Sequence, residues 1–168
     1  MKQAAKTIPG IVLTFALCVG AARAGSEDYV LLSHPEAIDG RSFTDDTGRK
    51  YRLHAVDAPE IGQECIDGDG KRYKCGEESR DALARMIDGI LTCDFVGSRD
   101  SEWREVRCYD FSGRDIGSRL ISDGWAVPDR SAGTLDYVMD EMEAEARQLG
   151  LWQGRFVTPQ RWRAGARL

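Results

Sequence analysis

Arg52, Asp57 and Glu60 fall within nine residues, in "YRLHAVDAPE", and Arg104 follows in "DSEWREVRCYDF". Two guanidinium groups and two carboxylates are the residue types that phosphodiester chemistry needs. A planar arginine fork bonds two phosphoryl oxygens at once and stays charged. A carboxylate can take a proton from water, and a bound metal can serve either purpose. On this pattern Arg52 and Arg104 are the candidate clamp, Glu60 the candidate base, and Asp57 the candidate metal ligand, with Asp39 and Arg41 close upstream in "AIDGRSF".

Those side chains must be positioned by short elements. "EDYVLLSHPEAIDG" and "RSFTDDTG" each end in a turn signal, and "KYRLHAVDAPE" is the clearest strand, closed by Pro59. Tyr51, Leu53 and Ala55 alternate with Arg52, His54 and Val56, so one face is core and the other carries a cation. Glu77, Glu78 and Asp81 open a helix whose apolar spacing runs through Leu83, Met86, Ile87 and Ile90. Strands at 91–97 and 103–109 follow, then a short helix at 116–122 stopped by Gly124 and a charged helix at 135–149 stopped by Gly150. After these, Trp152 and Phe156 should cover the body. Such an order implies an α+β, mainly β, fold: a five-stranded OB-type Greek-key barrel braced by about three helices.

The chain opens with a basic start at Lys2 and Lys6, an apolar run at 11–20, and Ala22-Arg23-Ala24, the pattern of a cleaved export signal over 1–24. The apolar run is too short to span a bilayer, and Leu17 before Cys18 is a poor lipidation context. Residues 25–168 then make one exported domain, periplasmic or extracellular. It carries 20 basic and 28 acidic side chains, a net charge of −8. That field opposes tight nonspecific nucleic-acid binding except through a local basic patch. Candidate patches are Lys71, Arg72 and Lys74, and the tail with Arg155, Arg161, Arg163 and Arg167. Nothing in the pattern calls for more than a monomer.

Cys65, Cys75, Cys93 and Cys108 are an even set in an exported chain and read as two disulfides. A hairpin centred between Asp100 and Ser101 puts Cys93 opposite Cys108, within reach of a cross-strand bond. Cys65 then pairs with Cys75 around "IDGDGKRYK". The absence of a C-x-x-C pair and the presence of only His34 and His54 argue against zinc.

"YRLHAVDAPE" resembles the R-L-x-x-V-D-T/A-P-E signature of the staphylococcal-nuclease-like, or thermonuclease, family. "DSEWREVRCYDFSGRDIGSRLISDGWAV" is similar to that family's second arginine segment, and "EARQLGLWQG" to its last helix; together the likeness spans about 28–163. The cysteines, "GQEC" and "GLWQGRFV" resemble an exported bacterial branch, some members of which are assigned to exopolysaccharide (succinoglycan) biosynthesis. The resemblance implies the helix-braced OB barrel. It makes Arg52 and Arg104 the phosphate clamp, Glu60 the water-activating base, and Asp57 with the Ala58 backbone carbonyl the ligands of a catalytic Ca²⁺, with Asp39 behind them.

Several positions depart from that pattern. The family reads D-G-D-T where this chain reads Asp39-Gly40-Arg41-Ser42, so Arg41 replaces an expected Ca²⁺ ligand. Ca²⁺ takes about six to eight oxygens and draws affinity from ligand charge. Exchanging a carboxylate for a guanidinium beside it costs several kcal/mol at an effective dielectric of about 20. The Arg41 guanidinium is itself suited to bridge Asp57 and Glu60. Glu102 and Trp103 stand before Arg104 in place of a tyrosine and a glycine, and Asp129 and Arg130 stand where tyrosines are usual. Asp45 and Asp46 lie toward a hairpin turn. Asp67, Asp69 and Glu78 have the spacing of an EF-hand loop, but Lys71 and Arg72 replace a ligand and the essential glycine. Two functions follow: an exported nuclease-type phosphodiesterase acting on nucleic acid or another phosphodiester, or a barrel that has lost catalysis and binds or assists in exopolysaccharide assembly.

Overall fold

The computed structural model describes residues 28–168, so the export segment lies outside the described residues. In chain order the strands are β1 (Tyr29–Ser33), β2 (Glu36–Ala37), β3 (Ser42–Thr44), β4 (Lys50–Leu53), β5 (Val56–Asp57), β6 (Cys65–Ile66) and β7 (Arg72–Tyr73), then β8 (Ile90–Phe95), β9 (Trp103–Tyr109) and β10 (Val127–Pro128). Helix α1 (Cys75–Ile87) precedes β8, α2 (Ile116–Ser122) follows β9, and α3 (Val138–Ala146) and α4 (Pro159–Arg163) close the chain. The fold is α+β and strand-rich. Among the described residues no helix is long and apolar enough to cross a membrane.

Six strands form one sheet in the order β1-β8-β9-β4-β3-β2. All neighbours are antiparallel except β4 and β9, which are parallel. The two ends of that order, β1 and β2, are separated in the chain only by His34 and Pro35. His34 has φ 47°, and proline has no N–H to give a ladder, so one bent run counts as two strands and the sheet curls back towards its own start. Two short ribbons, β5 with β10 and β6 with β7, flank it.

The core holds Phe43, Tyr51, Leu53, Leu91 and Val106 from the sheet and Leu83, Ile87, Ile116, Leu120 and Ile121 from α1 and α2. The alternation expected along β4 stops at Ala55, whose φ of 58° re-aims the chain. Val56 and Asp57 are then both buried against β10 instead of alternating. Ile90 is not helical: Gly89 has φ 147°, and Ile90 opens β8 with its side chain exposed.

Helix α3 is shorter than the charged helix expected at 135–149, because Tyr137 enters it at φ 65°, held by a hydrogen bond from its hydroxyl to Asp115 Oδ2 at 3.0 Å. Gly124 does stop α2; a Cβ there would lie 2.2 Å from the Leu149 carbonyl oxygen, a closeness only glycine allows. Four α-helices are present rather than about three. The extra one, α4, starts with Pro159 in its first turn, a favoured place because the missing N–H has no helical partner anyway.

Both disulfides form, Cys65 with Cys75 and Cys93 with Cys108. Cys93 and Cys108 are direct cross-strand partners, with Cα atoms 4.0 Å apart. The other disulfide belongs to a second buried cluster with Val127 and Leu151, against which Trp152 and Phe156 pack. Their rings meet edge to face at 5.1 Å.

Candidate functional site

The turn at Ala55 and the β5–β10 ribbon carry Asp57 into the interior, where it is 4% exposed. Pro59 then turns the chain, and Glu60 is held by Gln63, whose backbone N–H donates to the Glu60 carbonyl at 2.8 Å. Helix α1 backs this turn so closely that a Cβ on Gly76 would be 1.9 Å from the Glu60 carbonyl oxygen. Asp57 and Glu60 therefore converge, as the sequence suggests.

Two arginines meet them. Arg163, at the end of α4, donates from Nη1 to Asp57 Oδ1 at 2.9 Å and from Nη2 to Asp57 Oδ2 at 2.8 Å. Its Nη1 also donates to Glu60 Oε1 at 2.8 Å. Arg41 Nη1 lies 3.1 Å from Asp57 Oδ1, and its Nη2 3.8 Å from Glu60 Oε1. So Arg41 does touch both carboxylates, but the two-pronged contact comes from Arg163, more than a hundred residues away in sequence. Two cations balance two anions in a place only partly open to water. Hydrogen bonds from Arg163 to Asp57, then to Glu60, hold its guanidinium pKa above the ordinary arginine value. Burial pushes the nearby Asp129 carboxyl up, but hydrogen bonds from Ser131 and the charges of Arg41 and Arg163 outweigh it and hold the pKa low.

This donor set does not fit Ca²⁺. An oxygen-seeking dication would have to displace two guanidiniums from Asp57 and Glu60, and Arg41 supplies positive charge where a carboxylate is needed. Among the described residues no group of three or more His, Cys, Asp or Glu side chains is arranged to hold a metal ion. Asp39 accepts a hydrogen bond from the Arg41 backbone N–H at 2.8 Å and so shapes the turn that presents Arg41. Ala58 is buried beside Asp57. Asp45 is occupied in its hairpin, accepting from the Thr47 and Arg49 backbones and from the Tyr51 hydroxyl. Asp67 accepts from the backbone N–H groups of Asp69 and Lys71, which makes "DGDGK" a turn inside the disulfide loop.

The expected convergence of Arg52 with Arg104 is not met. In the parallel β4–β9 register Tyr51 pairs with Arg104 and Arg52 with Glu105. Lateral partners share a face, and neighbours along a strand alternate, so the two arginines leave opposite faces of the sheet. Arg104 Nε donates to the Arg99 carbonyl at 2.7 Å. Neither Glu102 nor Glu105 pairs with it: Glu102 meets Lys50 Nζ at 2.9 Å and Glu105 meets His54 Nδ1 at 3.0 Å. Arg52 lies over the Trp103 ring, 4.7 Å from its centroid, and its buried Nε has no hydrogen-bond partner. With Arg41, Trp103, Glu105 and Asp129 it lines a cleft of about 190 Å³. One face of that cleft is thus cationic and aromatic, with its second arginine, Arg41, paired to Asp57 and its Glu105 paired to His54.

Arg163 is the participant that sequence spacing did not single out. It was legible only as one of four arginines in a basic tail, since nothing local reports a contact made across the whole domain.

No family model matches the chain. A protein of Rhizobium meliloti (strain 1021), the succinoglycan biosynthesis protein ExoI, is 31% identical over 128 residues, 74% of this chain. The chain spans 66% of that relative's length, just short of two thirds.

Proposed function

We propose that this chain is a binding or accessory module of exopolysaccharide biosynthesis of the succinoglycan type, built on a nuclease-like OB barrel that no longer performs metal-dependent hydrolysis. The observation that carries it is the guanidinium pair of Arg41 and Arg163 on Asp57 and Glu60. Internal cations hold both carboxylates that a hydrolase of this type would give to its metal and its water. The relative named for succinoglycan biosynthesis supports the pathway. The retained "YRLHAVDAPE" stretch and the curled sheet whose end strands meet at His34–Pro35 support descent from a thermonuclease-like Greek-key barrel. Two disulfides support an exported, oxidising location.

Ca²⁺ titration tests the reading. A ligand that binds only the folded state raises stability by about 2.7 kcal/mol at a hundredfold excess over its dissociation constant. Millimolar Ca²⁺ is expected to leave the thermal midpoint unchanged relative to EDTA, and single-stranded DNA is expected to stay intact. Ca²⁺-dependent cleavage of that DNA overturns the proposal in favour of a phosphodiesterase with a rebuilt site.

A further inference from the structure

The last segment of the chain has a charge character opposite to the rest. From Gly154 to Leu168 there are four arginines and no aspartate or glutamate, on a domain whose net charge is −8. Arg163 is consumed by Asp57 and Glu60. Arg155, Arg161 and Arg167 are exposed, and no carboxylate pairs with them among the described residues. Elsewhere most exposed arginines do find one, as Arg72, Arg114 and Arg147 do.

The segment is also fixed in place. Arg155 exchanges both backbone hydrogen bonds with Ile66 at 2.8 and 2.9 Å. Gln63 Nε2 donates to the Val157 carbonyl at 2.7 Å, and Arg163 locks the end of α4. Beyond it, Arg167 stacks on Trp162 with its guanidinium carbon 3.6 Å from the ring centroid. Its Nη1 donates to the carbonyls of Trp162 and Ala166. A side chain already held flat loses little freedom when it binds.

We infer that residues 155–168 form a docking face for an acidic polysaccharide, with Arg155, Arg161 and Arg167 bonding its carboxylates; this deepens the reading of the chain as an exopolysaccharide module and rests on it. Guanidinium forks match planar carboxylates. The electrostatics favour a sparsely charged polymer. DNA carries a charge about every 1.7 Å of its duplex axis, and a long stretch of it would run onto the acidic body. Carboxylates spaced by neutral sugars can meet the basic face alone, since the acidic remainder is screened beyond about 10 Å at 0.1 M salt.

The test uses hyaluronate, whose carboxylates alternate with neutral sugars, as the acidic probe, dextran as the neutral one, and a DNA duplex of about 20 base pairs as the nucleic acid, titrated calorimetrically at about 0.1 M salt. The comparison protein is Arg155→Gln/Arg161→Gln/Arg167→Gln, with Arg163 kept so that the anchor of α4 remains; its thermal midpoint checks that it is folded. Hyaluronate should bind the unmodified protein saturably and the triple variant roughly tenfold or more weakly, with added salt weakening the former. Dextran should not bind, and the DNA duplex should bind at least about tenfold more weakly than hyaluronate. Absence of hyaluronate binding, equal binding by the triple variant, binding of dextran, or equal binding of the DNA duplex each overturns the inference. Any of these outcomes with Ca²⁺ still inert leaves the non-hydrolytic barrel standing, whereas Ca²⁺-dependent cleavage removes that barrel reading itself.

Discussion

Arg163→Met keeps most of the aliphatic stem and removes the charge that spans Asp57 and Glu60. At a charge separation of about 4 Å and an effective dielectric of about 20, each opposite pair is worth roughly 4 kcal/mol before desolvation. Arg163 has two such attractions and one repulsion of similar size from Arg41, so about one pair's worth remains. The Arg163 side chain is 38% exposed and that of Asp57 5%, so screening and the cost of desolvating the guanidinium reduce this to about 2–3 kcal/mol. For a domain of this length that lowers the thermal midpoint by roughly 5–10 °C. The assay is urea and thermal unfolding of Arg163→Met, Asp57→Asn and the double variant. A coupling of about 1–2 kcal/mol between the two positions is expected. Because Asp57 is buried, most of the loss should persist at about 0.5 M NaCl. A loss below about 0.5 kcal/mol is what any surface substitution produces; that result, or absent coupling, would refute the internal-cation account.

Other expectations can be checked on the same footing. Arg41→Asp alone puts three carboxylates around one guanidinium and should cost about 2–4 kcal/mol without restoring a metal site; only with Arg163→Gln added should Ca²⁺ raise the thermal midpoint, and equal Ca²⁺ stabilisation of the single variant contradicts the role given to Arg163. Replacing Cys93 and Cys108 by serine opens a disulfide with a sequence separation of 15 and should lower stability by about 3 kcal/mol in urea unfolding, with the hairpin register kept in the hydrogen-exchange pattern. Asp110 is held low chiefly by Ser112 and then by Arg114, and Asp136 chiefly by Arg107. Their stabilisation is fully present above the ordinary carboxylate pKa and is lost as pH falls through the depressed folded values, so the urea midpoint should hold from pH 7 down to about 4 and drop below it, with a shallower acid limb in Asp136→Asn.

Much of this protein is local, and those parts are legible from the chain alone. The period-2 run Tyr51-Arg52-Leu53 reports its own strand and its own inward face, because alternation is a property of the backbone. Cys93 and Cys108 report their pairing, since a hairpin of known centre fixes what lies opposite. Gly124 reports the stop of α2, since it is free to take the φ of 79° found there, whereas α3 ends at Ala146, before Gly150. Arg41 puts a positive charge where the resemblance leads one to expect a Ca²⁺ ligand, and a guanidinium cannot serve as an oxygen ligand whatever the fold. What spacing could not decide is which groups meet across distance. Whether Arg52 and Arg104 converge depends on the register of two parallel strands, and a shift of one residue exchanges the faces. Whether Asp57 and Glu60 are free depends on a helix more than a hundred residues downstream, brought over them by the Ile66–Arg155 backbone pair and the Gln63–Val157 bond. Residue types set which charges were available, and three-dimensional packing alone chose their partners, because ion pairs are selected by distance and exposure rather than by order along the chain.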